Sequence, residues 1–170
     1  MKNRLIILAC ILFLFSCTAD KTSDERRQKK VFDFRLEDTH HQRFYLNQHE
    51  GKIVVIVFWA TWCIVCKKYL NELEKITPEF KEKEIELVSI VVDPENGDAL
   101  RELLKTYIHV SYPVLLDRER SIMEKFKVRE IPTTIIIGRA STIVMQKSGF
   151  DLSTISQIRN RLNLVLENEP

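Results

Sequence analysis

The placement of Cys63 and Cys66 constrains this chain more than any other feature. The apolar residues Ile53 to Val57 read as a buried β-strand, and Phe58-Trp59-Ala60-Thr61-Trp62 carries the chain on to the first cysteine. An amphipathic helical pattern follows the second. A Cys-x-x-Cys at such a handover puts the first sulfur at a helix N-terminus. Unpaired backbone N–H groups and the positive end of the helix dipole favour a thiolate there. The second sulfur lies one turn on, within reach of the first, a geometry suited to reversible disulfide exchange. A purely structural bridge is the weaker reading, because closing so small a loop adds little stability. A zinc site lacks the second pair of ligands that four-coordination needs, so no metal is expected.

The other two cysteines belong to the address of the protein. Cys10 lies in the apolar run Leu5 to Phe15, which follows Lys2 and Arg4. A charged start and a short apolar core describe an export signal, whereas a bilayer span needs about 20 apolar residues. Leu14-Phe15-Ser16-Cys17 then resembles a bacterial lipobox, with Phe15 bulkier than usual at its position. We therefore expect residues 1–16 to be a signal peptide and Cys17 to carry lipid. Residues 18–30 are polar, charged and aperiodic, a flexible tether of roughly 20 Å r.m.s. span. Without the signal, 24 basic residues face 24 acidic ones. That balance leaves no basic footprint for nucleic acid.

From Val31 to Pro170 the pattern is that of one domain. Phe32 and Phe34, then Phe44 and Leu46, alternate around a turn at residues 38–42, which predicts two short strands. The unbroken β-branched run from Ile53 predicts a central strand covered on both faces. Leu70, Leu73, Ile76 and Phe80 recur at helical spacing, with Pro78 expected to kink or interrupt that helix. Further strands are predicted at 87–92, 114–116, 133–137 and 142–146. Helices are predicted from Asp98 as a cap, over 121–126, and over 153–166. The sum is an α/β domain with a mixed sheet and helices on both faces.

At this level of detail the chain resembles the thioredoxin fold, and within it the exported thiol-disulfide oxidoreductases of the TlpA/ResA type. The carriers are Phe34 to Asp38, the Gly51-Lys52 turn, Val54 to Lys68, Tyr112 to Asp117, Val128 to Thr134, and Gly149. The resemblance implies an N-terminal β extension and a strand–helix insertion, for which Asp93 to Pro113 has the length. It also departs in three places. Ile64-Val65 replaces a dipeptide that usually ends in proline. The buried acid of thioredoxin falls at Val57, and the acid common after the second cysteine falls at Tyr69. The carboxylate-based proton handling of the family therefore does not carry over.

The resemblance assigns roles. Cys63 is the expected nucleophile and Cys66 the more buried resolving thiol. A cis Ile131-Pro132 bond is expected opposite the cysteines, where it exposes backbone groups to an extended substrate. Trp62 is expected on the substrate-facing surface, whereas Trp59 fits core packing equally well. Tyr69 and Glu130 are the candidates for handling the proton of Cys66. The expected partners are exported proteins containing disulfides, apocytochrome c among them, and a membrane electron donor of the DsbD/CcdA kind. The expected location is extracytoplasmic, on a lipid anchor, with no cofactor. Two other functions compete: a Cu(I) chaperone, for which the cysteine spacing is one residue short, and a thiol peroxidase, for which Thr61 stands at the wrong interval.

Overall fold

The computed structural model describes residues 31–94 and 97–168. The expected signal peptide, the lipidation site Cys17 and the tether lie outside them. Seven strands and four α-helices form the domain: β1 (Arg35–Glu37), β2 (Arg43–Tyr45), β3 (Ile53–Trp59), α1 (Ile64–Glu74), β4 (Ile85–Val91), α2 (Gly97–Thr106), β5 (Val114–Leu116), α3 (Ser121–Lys125), β6 (Thr133–Ile137), β7 (Ile143–Ser148) and α4 (Thr154–Asn168).

The main sheet has the order β5-β4-β3-β6-β7. β3 runs parallel to β4 and antiparallel to β6, so the sheet is mixed, as expected. All seven residues of β3 are buried, so the sheet is covered on both faces, which is what its β-branched composition predicts. α1 contributes Leu70 and Leu73 to the core, and α4 contributes Ile158, Leu162 and Val165, each pair one helical turn or so apart.

β1 and β2 form the separate N-terminal hairpin. The strands are shorter than the aromatic alternation predicts and begin at Arg35, although the Phe34 carbonyl still accepts from Leu46 N–H at 3.0 Å; Phe32 and Phe34 have a second use. They pack with Phe126, at ring-centroid distances of 4.7 and 6.0 Å, and so pin the extension to α3. Asp38 pairs in an isolated bridge with Leu115, which joins the hairpin to the edge of the main sheet.

The helix after the cysteines ends at Glu74, earlier than its apolar spacing implies. Pro78 instead opens a separate 3₁₀ turn over Thr77–Phe80, a position where its missing N–H costs nothing. The expected insertion supplies α2, with β5 following as the edge strand beside β4. Asp98, expected as a cap, lies inside the first turn of α2 and pairs with Arg101. β5 and β6 coincide with their predicted limits.

Candidate active site

β3 ends at Trp59, and its backbone continues alongside the end of β4: the Trp59 carbonyl accepts from Val92 N–H at 2.9 Å. The chain then turns through Ala60 and Thr61 to Cys63, which caps α1. Cys63 has extended backbone angles, and its Sγ accepts from the Cys66 N–H at 3.2 Å. The first sulfur is thus held at the helix N-terminus by one of the orphan donors there. Cys63 and Cys66 are joined as a disulfide. Cys66 is fully enclosed and Cys63 retains a small exposed area, the inequality that an attacking and a resolving sulfur require.

The antiparallel register of β3 and β6 sets Phe58 opposite Thr133. One step further along, Pro132 falls at the level of Trp59, at the same end of the sheet as the cysteines. The Ile131–Pro132 peptide is cis, as the sequence resemblance implies. The Pro132 carbonyl accepts from Gly149 N–H at 2.8 Å, which ties the proline loop to the turn after β7. Gly149 has φ of +78°, a conformation that an L side chain would strain.

Several apolar side chains around this pole are open to solvent. Trp62 is 68% exposed, Ile64 82% and Leu152 99%, with Val65 also exposed and Ile131 half-buried. Trp59 is wholly buried, so of the two tryptophans only Trp62 is open to a partner. No charge comes from the Ile64-Val65 dipeptide.

The two candidates for proton handling are placed differently. Tyr69 is fully buried, and its hydroxyl shares a hydrogen bond with Thr134 Oγ1 on β6. Burial pushes its phenol well above the ordinary range, the Thr134 bond offsetting this in part. Tyr69 therefore stays protonated at any physiological pH, and its hydroxyl is engaged across the sheet with Thr134. Glu130 is exposed beside the proline loop, where its backbone carbonyl accepts from Thr133 Oγ1 at 2.6 Å. Val57, at the place of the thioredoxin acid, is buried and apolar.

One residue of this pole enters the sequence reading only as the start of the insertion after the predicted strand at 87–92. Asp93 accepts from the Thr61 N–H at 2.8 Å and from the Thr61 hydroxyl at 2.7 Å, so both its oxygens hold the residue two before Cys63. The partners are 32 positions apart, and no local spacing signals such a contact.

Comparison with known proteins agrees with this geometry. Residues 28–146 match the AhpC/TSA family. The chain is 34% identical to the thiol-disulfide oxidoreductase ResA of Bacillus subtilis (strain 168), over 99% of this chain and 97% of that protein. A candidate protein disulfide isomerase from Bacteroides thetaiotaomicron superposes with a TM-score of 0.75 at 26% identity, over 84% of this chain and 91% of the other. The exposed lipoprotein thioredoxin Etrx1 of Streptococcus pneumoniae strain TIGR4 superposes with a TM-score of 0.68 at 25% identity, over 78% of this chain and 99% of the other. With its helix-capping dithiol pair and its cis-proline at one end of a mixed sheet, the chain belongs to the AhpC/TSA family as a thioredoxin-fold thiol-disulfide oxidoreductase of the TlpA/ResA type.

Proposed function

We propose that the protein is a membrane-anchored, extracytoplasmic reductase of disulfides in exported proteins, with apocytochrome c as a candidate client. The observation that carries this reading is the pairing of an exchangeable Cys63–Cys66 couple with an exposed apolar rim and a cis-proline loop at one pole. In the dithiol form, the Cys63 thiolate attacks one sulfur of the client disulfide and expels the other as a thiolate. Cys66 then gives up its proton and attacks Cys63 Sγ, which releases the second client thiolate and closes the intramolecular bond. Two electrons and the Cys66 proton pass to the client, whose second thiolate takes its proton from solvent, and a membrane donor of the DsbD/CcdA kind restores the dithiol.

An extended client segment would lie along the Ile131-Pro132 backbone, with Trp62 and Ile64 covering the residues beside its cysteine. Tyr69 and Glu130 would act around Cys66, Tyr69 as a neutral hydroxyl and Glu130 as a carboxylate from the proline loop. Lipidation of Cys17, after cleavage of residues 1–16, would hold the domain at the membrane through the tether. The Streptococcus relative is described as an exposed lipoprotein, which supports this placement.

The test is entrapment. A Cys66→Ser variant expressed in its host should accumulate mixed disulfides through Cys63, and mass spectrometry of the adducts names the clients. The proposal fails if Cys66→Ser yields no adducts that a Cys63→Ser control lacks. Globomycin treatment, or Cys17→Ala, should release the protein from the membrane fraction; retention would overturn the anchor.

A further inference from the structure

The two hydrogen bonds from Thr61 to Asp93 place a carboxylate next to the redox loop. Asp93 is half-buried and lies two residues beyond β4, next to Val92, whose N–H donates to the carbonyl of Trp59 at the end of β3. It therefore projects from a rigid extension of the sheet. Thr61 and Cys63 are two positions apart, at most about 7 Å between Cα atoms, so the carboxylate lies on the order of 10 Å from the Cys63 sulfur. Cys63 is itself almost enclosed, which limits screening between the two.

The other charged groups at this pole are Lys67 and Lys68 on α1, Arg118 and Arg120 ahead of α3, which donate to the Pro94 and Val92 carbonyls on either side of Asp93, Arg129 and Glu130 ahead of β6, and Lys147 and Asp151 around the end of β7. All but Lys67 and Lys147 are exposed. The helix N-terminus and the two lysines of α1 favour a thiolate at Cys63, whereas Asp93 opposes one, an effect that Arg118 and Arg120 beside it reduce.

We infer that Asp93 fixes the loop ahead of Cys63 through Thr61 and that its charge, acting through space, opposes ionisation of the Cys63 thiol, so that the couple is more strongly reducing. This inference rests on the exchange chemistry proposed above. Reduction of the Cys63–Cys66 bond takes two electrons from a donor dithiol. Two protons are taken up when Cys63 emerges as a thiol, and one when it emerges as a thiolate, Cys66 emerging as a thiol in both cases. A charge that destabilises the thiolate disfavours the reduced form wherever Cys63 is ionised, and has no such hold where it is protonated.

The experiment is Asp93→Asn in the lipid-free exported domain. The amide oxygen still accepts from Thr61 N–H, its NH₂ can donate to the hydroxyl, and the charge is gone. The pH dependence of iodoacetamide alkylation of Cys63 should move about 0.5 unit lower. The equilibrium with glutathione at pH 9 should shift about threefold toward the dithiol, ~14 mV for a two-electron couple. At pH 5 that difference should vanish. Thr61→Val, which retains the charge and the backbone bond, should not lower the Cys63 titration. Should Asp93→Asn fail to fold, Asp93→Ser carries the same expectation. An unchanged titration in the charge-free variant, or an equal fall in Thr61→Val, overturns the inference. Wild-type protein that exchanges with no protein disulfide would instead overturn the function on which it rests.

Discussion

The buried hydroxyl of Tyr69, one turn beyond Cys66, is hydrogen-bonded to Thr134, two residues beyond the cis-proline. The helix that carries the cysteines and the strand that carries Pro132 are thereby joined by a polar bond inside an apolar core. The Tyr69 ring also packs 5.2 Å from that of Phe150, which follows Gly149. Three segments of the redox pole thus converge on one side chain. Tyr69→Phe leaves Thr134 without this partner and should cost about 1–2 kcal/mol in urea unfolding. Thr134→Val should cost a similar amount, and the double variant Tyr69→Phe/Thr134→Val less than the sum. Strict additivity would contradict a bond between them.

The same burial sets an alkaline limit. Desolvation raises the phenols of Tyr69 and Tyr112, and for Tyr112 the nearby Glu74 charge adds to it. Folded values above the ordinary value of about 10 mean that the unfolded chain loses these protons first. The stabilisation is therefore fully present below about pH 10 and drains away as pH rises beyond it. Each such tyrosine should contribute a slope approaching 1.4 kcal/mol per pH unit in that range. Urea midpoints should stay level with respect to these groups up to about pH 9.5 and fall above it. Tyr69→Phe should have the shallower slope; an identical slope would show that Tyr69 is not among the titrating groups.

Trp62 makes a separate prediction, since a side chain so exposed contributes little to folding. Trp62→Ala should leave the thermal midpoint nearly unchanged but raise KM for a protein disulfide about tenfold. Rates with a small disulfide such as hydroxyethyl disulfide, too short to span the rim, should hardly change. Equal losses on both substrates would place Trp62 in the chemistry of Cys63 rather than in client contact.

Asp117 is 1% exposed and organises the short helix α3. Its carboxylate accepts from the N–H groups of Ile122 and Met123, the latter at 2.8 Å. Arg120, just ahead of the helix, has a left-handed backbone and offers no side-chain cap. Asp117→Ala should therefore cost about 2 kcal/mol, read as a lower urea midpoint. A loss within about 0.5 kcal/mol would mean that water replaces these bonds freely.

The sequence made the dithiol and the central strand legible because each is a local pattern, whereas the proline loop was legible only through the family resemblance. A short unbroken β-branched run after a Gly-Lys turn favours a covered strand, and Cys63 and Cys66 lie within one turn of a helix. What escaped it lies between distant segments. The bond from Tyr69 to Thr134 spans 65 positions and that from Thr61 to Asp93 spans 32, and neither alters the local pattern of either partner. Phe32 and Phe34 misled for a related reason. Their alternation is that of a strand, and Phe34 does continue the pairing through its carbonyl to Leu46 N–H, but both rings pack on Phe126 and the strand proper begins only at Arg35.

Cys63 Sγ is at once the reacting atom and the acceptor for the first turn of α1. A divalent sulfur keeps lone pairs whether it is bonded to Cys66, to a client or to a proton, so an acceptor remains at that spot throughout turnover. Bond exchange can therefore proceed without unwinding the helix, and the enzyme begins each round from the scaffold with which it ended the last.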